Sequence, residues 1–356
     1  MSKPKGWVKI WREIKRPVKQ IGQAVYSLYA VKGACKKGLD AYFVPNNEDV
    51  YKNIDCLEFT ITSKCNYACE YCVAKLGKNK NQDMIHASDK TIENFKIVLS
   101  KIKKNSRVKI TGGEPIIHPK FFETAKEVVK NGHRLVVGTN FSLPNHHFEQ
   151  VIDAIEDGEF RVIASLHLSQ VESVDSFVNK VISLKKYGQS KITISVVSVV
   201  TEENYEILKG AKEKLALEGV KLSFQHLKTN DGDFVEYAPH IMQHFPEKHI
   251  SKRLKGFKSY GTICAAGYRF LKIRASGNVS RCFSEHKNLY DLGNINNLCQ
   301  PLRIPLPCLA SKCTCLLPIN NGLIDFENCD LELANEIDSI NDNCPFQSPR
   351  ITANDQ

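Results

Sequence analysis

Between residues 56 and 226 the apolar positions switch repeatedly between two periods: the two-residue alternation of strands and the three-to-four spacing of amphipathic helices. The pattern predicts strands at 56–62, 107–111, 134–139, 161–166, 192–200 and 220–226. Helices are predicted near 89–104, 119–131, 146–156, 173–187 and 203–218. Asp89 or Ser88 with Thr91 supplies a helix start, and Gly132, Gly188 and Gly219 stand where helices should stop. Strand alternating with helix is the order of a parallel α/β fold.

A different pattern precedes these units. Trp7, Ile10, Trp11 and Ile14 recur at helical spacing, and Pro17 opens a second stretch with Val18, Ile21, Val25 and Leu28 on one face. The chain has 356 residues and a net charge of +10, and the charge is unevenly placed. Residues 1–37 hold ten Lys or Arg and a single acid, Glu13, a net of +9, whereas the rest carries 39 basic and 38 acidic side chains. The body is close to neutral and does not read as a nucleic-acid enzyme. A basic amphipathic arm over 1–50 has the composition of an interfacial membrane helix; a helical hairpin packed on the body and an arm that grips an acidic peptide leader are the other readings.

The 13 cysteines carry the chemistry. Lys3, Lys5, Lys9 and Arg12 interrupt the start where a secretory segment would be apolar, and no run reaches the roughly 18 apolar residues of a membrane span. A cytoplasmic, reduced protein is expected, associated with a membrane surface if the arm is interfacial, with thiols as metal ligands rather than disulfides. Cys65, Cys69 and Cys72 stand at C-x3-C-x2-C spacing and can hold three corners of a [4Fe–4S] cube. The fourth iron then has no protein ligand, so it can bind a small molecule. The other reading is a zinc knot, although zinc commonly takes four ligands in paired C-x2-C units.

Residues 56–73, with aromatic Tyr71 before the third cysteine, resemble the signature of the radical S-adenosylmethionine (SAM) superfamily. The resemblance implies that SAM chelates the open iron and is cleaved reductively to a 5′-deoxyadenosyl radical that takes a substrate hydrogen. A second element agrees with it. The strand from Val108 ends in Gly112-Gly113-Glu114-Pro115, which resembles the family's GGE motif. Two glycines permit close backbone approach to a ligand, and Glu114 could accept charge-assisted bonds from the SAM ammonium. The six units then suit the family's partial (β/α)6 TIM-type barrel, expected over 51–229, with active groups at the carboxyl ends of its strands. Asn140 closes the third strand. Ser165 and His167 close the fourth, where relatives carry a polar pair against SAM, and the histidine departs from the usual acid. His226 ends the sixth strand and is a further candidate for SAM or substrate contact.

A linker is expected over 230–260, and a second cysteine group follows. Cys264, twelve residues, Gly277, four residues and Cys282 resemble the opening of SPASM and twitch domains, which carry auxiliary clusters. Arg274–Asn278 reads as a turn, so that both thiols would face each other across a β-hairpin. Cys308, Cys313 and Cys315 follow, then Cys329 and Cys344, without the spacing of a full SPASM domain. A shortened cysteine-rich β-hairpin/α module over 261–345 is expected, with one auxiliary [4Fe–4S] cluster on Cys264, Cys282 and two of the 308–315 group, then a tail over 346–356. Zinc at this module, or a second auxiliary cluster on Cys329 and Cys344, are the alternatives.

The resemblance implies an enzyme that needs a reducing partner such as flavodoxin or ferredoxin. Two substrate classes follow: a hydroxyl-rich small molecule or glycan that is oxidised or epimerised, or a ribosomally made peptide that is crosslinked. A cluster protein acting only as scaffold or sensor is the reading from another class.

Overall fold

The computed structural model describes residues 50–72, 85–156, 159–227, 235–245, 263–282, 291–299, 301–302, 305–307 and 323. The arm, most of the linker, the tail, and Cys308, Cys313, Cys315, Cys329 and Cys344 lie outside the described residues.

Six strands and five helices alternate in the order β1 (Cys56–Thr62), α1 (Asp89–Lys101), β2 (Arg107–Gly112), α2 (Phe121–Lys130), β3 (Arg134–Thr139), α3 (His146–Asp153), β4 (Phe160–Ser165), α4 (Val174–Gly188), β5 (Ile192–Val200), α5 (Tyr205–Leu217) and β6 (Lys221–His226). All five neighbouring pairs are parallel. The result is a partial barrel with helices on its outer face.

Alternation along each strand decides what faces where. Leu57, Phe59 and Ile61 of β1 are fully buried on the helix side, and Phe59 stacks on Phe95 of α1 with ring centroids 4.3 Å apart. The same outward face carries Val108 and Ile110 of β2 and Phe160, Val162 and Ala164 of β4. The opposite face lines the barrel interior and mixes polar groups with Ile163, Val197 and Val199. Ser88 caps α1 by accepting from the Thr91 N–H at 3.2 Å. Gly132 and Gly219 follow α2 and α5 at φ +74° and +66°, whereas Gly188 stays helical and Gln189 makes the left-handed turn at φ +48°.

The C-terminal residues extend this sheet. A short helix, α6 (Pro239–Met242), is followed by β7 (Ile263–Cys264), β8 (Phe270–Ile273), β9 (Asn278–Ser280), β10 (Asp291–Asn294), β11 (Leu298–Cys299) and β12 (Leu306–Pro307). Strand β8 pairs parallel with β1, and β9, β10 and β11 continue outward, giving ten strands in the order β11-β10-β9-β8-β1-β2-β3-β4-β5-β6. The Asp55 carboxylate accepts from Arg269 Nε at 2.8 Å and pins the start of β8 to the start of β1.

One expectation is corrected here. Strands β8 and β9 form the hairpin, but Cys264 is not on it: β7 pairs antiparallel with β12 in a separate two-stranded sheet. A turn at Gly267–Arg269, in which Tyr268 N–H donates to Ala265 O at 3.0 Å, reverses the chain between Cys264 and β8. Cys264 meets the hairpin through Arg281, whose guanidinium donates to Ala266 O at 3.0 Å and Cys264 O at 3.3 Å.

Candidate metal centre and adjoining cavity

The loop after β1 is built by its own backbone and by donors from neighbouring strand ends. Lys64 N–H donates to Thr62 Oγ1 at 3.0 Å, Tyr67 N–H to Cys65 Sγ at 3.4 Å, and Cys72 N–H to Cys69 O at 3.2 Å. The loop after β2 clamps it from the side: Gly113 N–H donates to Thr62 O and Glu114 N–H to Lys64 O, both at 2.9 Å. This contact requires the two glycines. A Cβ at Gly112 would stand 2.3 Å from Thr62 O, and one at Gly113 would stand 2.2 Å from Lys64 O and 2.8 Å from Cys65 Cβ.

Cys65, Cys69 and Cys72 line a cavity of about 530 Å³ at the carboxyl ends of the strands, together with Tyr71, Gly112, Gly113, Asn140, Ser165, His167 and His226. The structure thus brings these expected residues to one place. Burial pushes the Cys65 thiol up, while the Tyr67 N–H and the Asn140 amide draw it back. The donor set suits a cluster. Among the described residues no three His, Cys, Asp or Glu side chains converge on a single ion. A cube carries one iron for each thiolate, so its ligands need not converge as those of a mononuclear zinc site must.

Glu114 and Pro115 stand just behind the cavity wall. Glu114 is fully buried and does not line the cavity. Its Oε1 accepts from Ile116 N–H at 3.2 Å and Thr139 Oγ1 at 2.8 Å, and its Oε2 accepts from Asn140 N–H at 2.6 Å. Burial is the main cause that raises its pKa to about 7, against these donors and the Lys180 ammonium. Lys180 in turn is drawn down to about 8 by burial, and it donates to Phe141 O at 2.6 Å. Pro115 opens a short 3-10 turn at 115–117. The bonds at its carboxylate let Glu114 hold the ends of β2 and β3 against each other.

Asn140 is the hub that sequence reasoning left without a detailed role. Its backbone N–H holds Glu114, and its side-chain Nδ2 reaches Asn66 Oδ1 at 2.8 Å and lies 3.9 Å from Cys65 Sγ. His167 sits beside the cysteine loop. Tyr71 Oη and His167 Nδ1 are 2.9 Å apart with the rings stacked, and Tyr67 meets the same ring edge-on. Burial raises the Tyr71 pKa and lowers that of His167. The phenol therefore keeps its proton and the imidazole stays neutral, and the two share one hydrogen bond whose donor follows the imidazole tautomer. His226 stacks on Phe245 with centroids 3.8 Å apart at the other side of the cavity. Lys109, Thr111 and Gln225 also line it; strand alternation was the signal that could have found them.

Of the second cysteine group, Cys264 is buried and Cys282 half-buried. Cys56, for which no role was expected, is buried at the opposite end of β1, where Arg107 Nη2 donates to its sulfur at 3.0 Å.

Residues 59–192 match the family model of the Radical SAM superfamily. The chain is 25% identical over 281 residues to an uncharacterized protein of Methanocaldococcus jannaschii, covering 71% of this chain and 91% of that one. It is 30% identical over 169 residues to the tungsten-containing aldehyde ferredoxin oxidoreductase cofactor-modifying protein of Pyrococcus furiosus, covering 43% and 45%. It is 24% identical over 264 residues to the antilisterial bacteriocin subtilosin biosynthesis protein AlbA of Bacillus subtilis, covering 67% and 56%. In the last two comparisons the chain spans about half the length of its relative.

Proposed function

From the premise that this chain belongs to the radical SAM superfamily, we propose that it is an enzyme acting on a polar small molecule or glycan admitted to the cavity beside Cys65, Cys69 and Cys72. Those three thiolates would hold one [4Fe–4S] cluster, and SAM would lie against the backbone of Gly112 and Gly113. Bound together, cluster and SAM supply one-electron cleavage of a sulfonium and abstraction of a hydrogen atom from a C–H bond. The chain's own groups do the rest. The glycine backbone fixes the loop, and Asn140 orients Cys65. His167, kept neutral by burial and held at Nδ1 by Tyr71, is placed to exchange a proton with the substrate as donor or acceptor according to its tautomer.

The observation that carries this reading is that the cysteines share one cavity with hydrogen-bonding groups on several strands: Thr111 on β2, Ser165 on β4 and Gln225 on β6. Such a lining suits a hydroxyl-bearing substrate. Oxidation or epimerisation is the proposed outcome. An auxiliary cluster would draw on Cys264 and Cys282, with further thiolates from the 308–315 group, which lies outside the described residues. Flavodoxin or ferredoxin would supply the electron. Peptide modification is the second reading, supported by the similarity to the bacteriocin biosynthesis protein over 67% of the chain.

Anaerobic reconstitution and SAM turnover test the proposal. The wild type should release 5′-deoxyadenosine, and the variant with Cys65, Cys69 and Cys72 all replaced by alanine should not. Mass spectrometry of cell extracts treated in D2O and returned to H2O should then show a low-mass compound that has lost two hydrogens, for oxidation, or gained one deuterium at carbon, for epimerisation. A change confined to a peptide would favour the second reading, and 5′-deoxyadenosine from the triple variant would refute both.

A further inference from the structure

The large sheet ends at β6, and among the described residues β6 pairs only with β5. In a parallel edge strand alternate residues leave a backbone N–H and C=O on the outer side. Just past β6 the chain folds back over this edge: Val235 N–H donates to Leu227 O at 3.0 Å, and Leu227 N–H donates to Tyr237 Oη at 2.8 Å. Earlier along the strand a groove of about 650 Å³ runs beside Lys221–Phe224, between the end of α5 and the pair His244 and Phe245. Its floor is apolar: Phe224 is half-buried, and Val220, Leu222 and Phe245 are buried. Its rim is basic. Lys212 Nζ rests over the Phe224 ring, 5.1 Å from the centroid, and Lys221 is exposed.

The neighbouring charges are already paired. Lys209 meets Glu206 at 3.7 Å, Lys214 meets Asp175 at 2.6 Å, and the Glu218 carboxylate is taken by Lys186 at 3.2 Å. No Asp or Glu lines the groove, and among the described residues neither Lys212 nor Lys221 has a carboxylate within ion-pair distance. Burial, with Lys212, Lys209 and His240 nearby, draws the His244 pKa down, as a positive surround should. The chain itself carries a segment that matches. Residues 324–356 hold eight Asp or Glu and a single base, Arg350, a net of −7. Ile324-Asp-Phe-Glu327 and Asp330-Leu-Glu-Leu333 alternate apolar and acidic residues at strand period, the two kinds of group the groove can take. Leu323, just before them, is buried and accepts from Ala265 N–H. From that anchor the 33 residues of 324–356 reach about 110 Å when extended. Other occupants meet like charge: residues 246–262 carry +4 and residues 1–37 carry +9, and a second copy would set Lys221 against Lys221.

We propose that residues 324–356 dock in this groove of their own chain, adding an acidic strand to the open edge of β6 and guarding it from pairing with other chains. Phe245 lines the groove and stacks on His226, which lines the cavity beside the cysteines. The docked segment therefore lies one aromatic pair away from that cavity. The inference stands apart from the reaction chemistry.

Amide hydrogen exchange on the reconstituted full-length chain tests it, read over Lys221–Gln225. Ending the chain at Leu323 should speed exchange there by about tenfold or more and leave β4 unchanged, because a lost edge strand exposes its neighbour's amides. The full-length variant Asp325→Asn, Glu327→Gln, Asp330→Asn and Glu332→Gln should show the same change. It keeps Cys329 and Cys344, so loss of a metal on those thiols does not mimic the result, and it decides the matter if the shortened chain fails to fold by circular dichroism. A synthetic peptide of residues 324–356 should bind the shortened chain in fluorescence anisotropy and restore its protection. With Lys212→Glu and Lys221→Glu that binding should weaken by about tenfold or more. Equal exchange in the full-length chain and the four-acid variant would overturn the proposal, as would peptide binding indifferent to the two lysine changes. Protection that vanishes when residues 1–37 are deleted would pair the segment with the arm instead. Protection that falls on dilution, together with a dimer in light scattering, would place it on a second copy, and either result overturns docking in the chain's own groove.

Discussion

The contact between the two loops can be broken by one methyl group. In Gly113→Ala the new Cβ would lie 2.2 Å from Lys64 O and 2.8 Å from Cys65 Cβ, where real Cβ contacts stay beyond 3.0 Å. Both neighbours belong to the backbone or its first carbon, so no rotamer change relieves the overlap. The loops must part by about 0.8 Å. That stretches the 2.9 Å bonds Gly113 N–H to Thr62 O and Glu114 N–H to Lys64 O beyond ordinary hydrogen-bond range. Overpacking at about 1–3 kcal/mol and two weakened backbone bonds at about 1 kcal/mol each give roughly 3–5 kcal/mol against the present loop geometry. The helix-side core of the barrel is untouched, so the loop should move and the fold persist. The assay is iron content and visible absorption after anaerobic reconstitution, beside far-ultraviolet circular dichroism. We expect the variant to lose the iron bound by Cys65, Cys69 and Cys72 and to keep its secondary structure. Gly210→Ala is the control: that glycine lies inside α5 with nothing within 4 Å of an added Cβ, so alanine should stabilise by about 0.5–1 kcal/mol. Wild-type iron content and thermal stability in Gly113→Ala would refute the reasoning.

Other consequences can be measured directly. Because Glu114 has its pKa raised from 4.5 to about 7 in the fold, its stabilising contribution is full below pH 4.5 and disappears as pH rises through 7. Urea denaturation without SAM should show wild type losing stability relative to Glu114→Gln between pH 5 and pH 8, and an unchanged difference would count against a buried, internally bonded carboxylate. Asp55→Asn should weaken the pin on β8 by about 1 kcal/mol and speed amide exchange over 270–273, with β4 and β5 unaffected. Deleting residues 1–37, net +9, should release the protein from anionic liposomes in flotation at low salt; equal flotation of both forms, or of neither, would exclude an interfacial arm.

The barrel units were legible because their two periods are strong and are separated by caps and glycines. Ser88 caps α1 through Thr91, and α1 ends at Lys101, three residues before the periodic pattern does, because Ile102 turns extended and buries its side chain. The cysteine loop and the double glycine could be placed at strand ends because motif and period fell together. The orientation of Glu114 could not: its burial depends on donors from Thr139 and Asn140 on another strand. The partner of β8 was equally hidden, since nothing local in Phe270–Ile273 distinguishes pairing with β1 from pairing within its own hairpin. Glu58 and Lys109 look like routine polar alternation until register sets them side by side.

The pairing of β8 with β1 also orders events during synthesis. Asp55 and Arg269 are 214 residues apart, so at about 5–20 residues per second β1 waits on the order of ten to forty seconds for that neighbour. Until then β1 is an edge strand, a template for any other strand that meets it. The cysteine loop leaves the ribosome early in that interval and can take up iron while the sheet is still open on that side. Pairing with β8 then covers that edge, and a chain released short of Arg269 would leave β1 exposed along it.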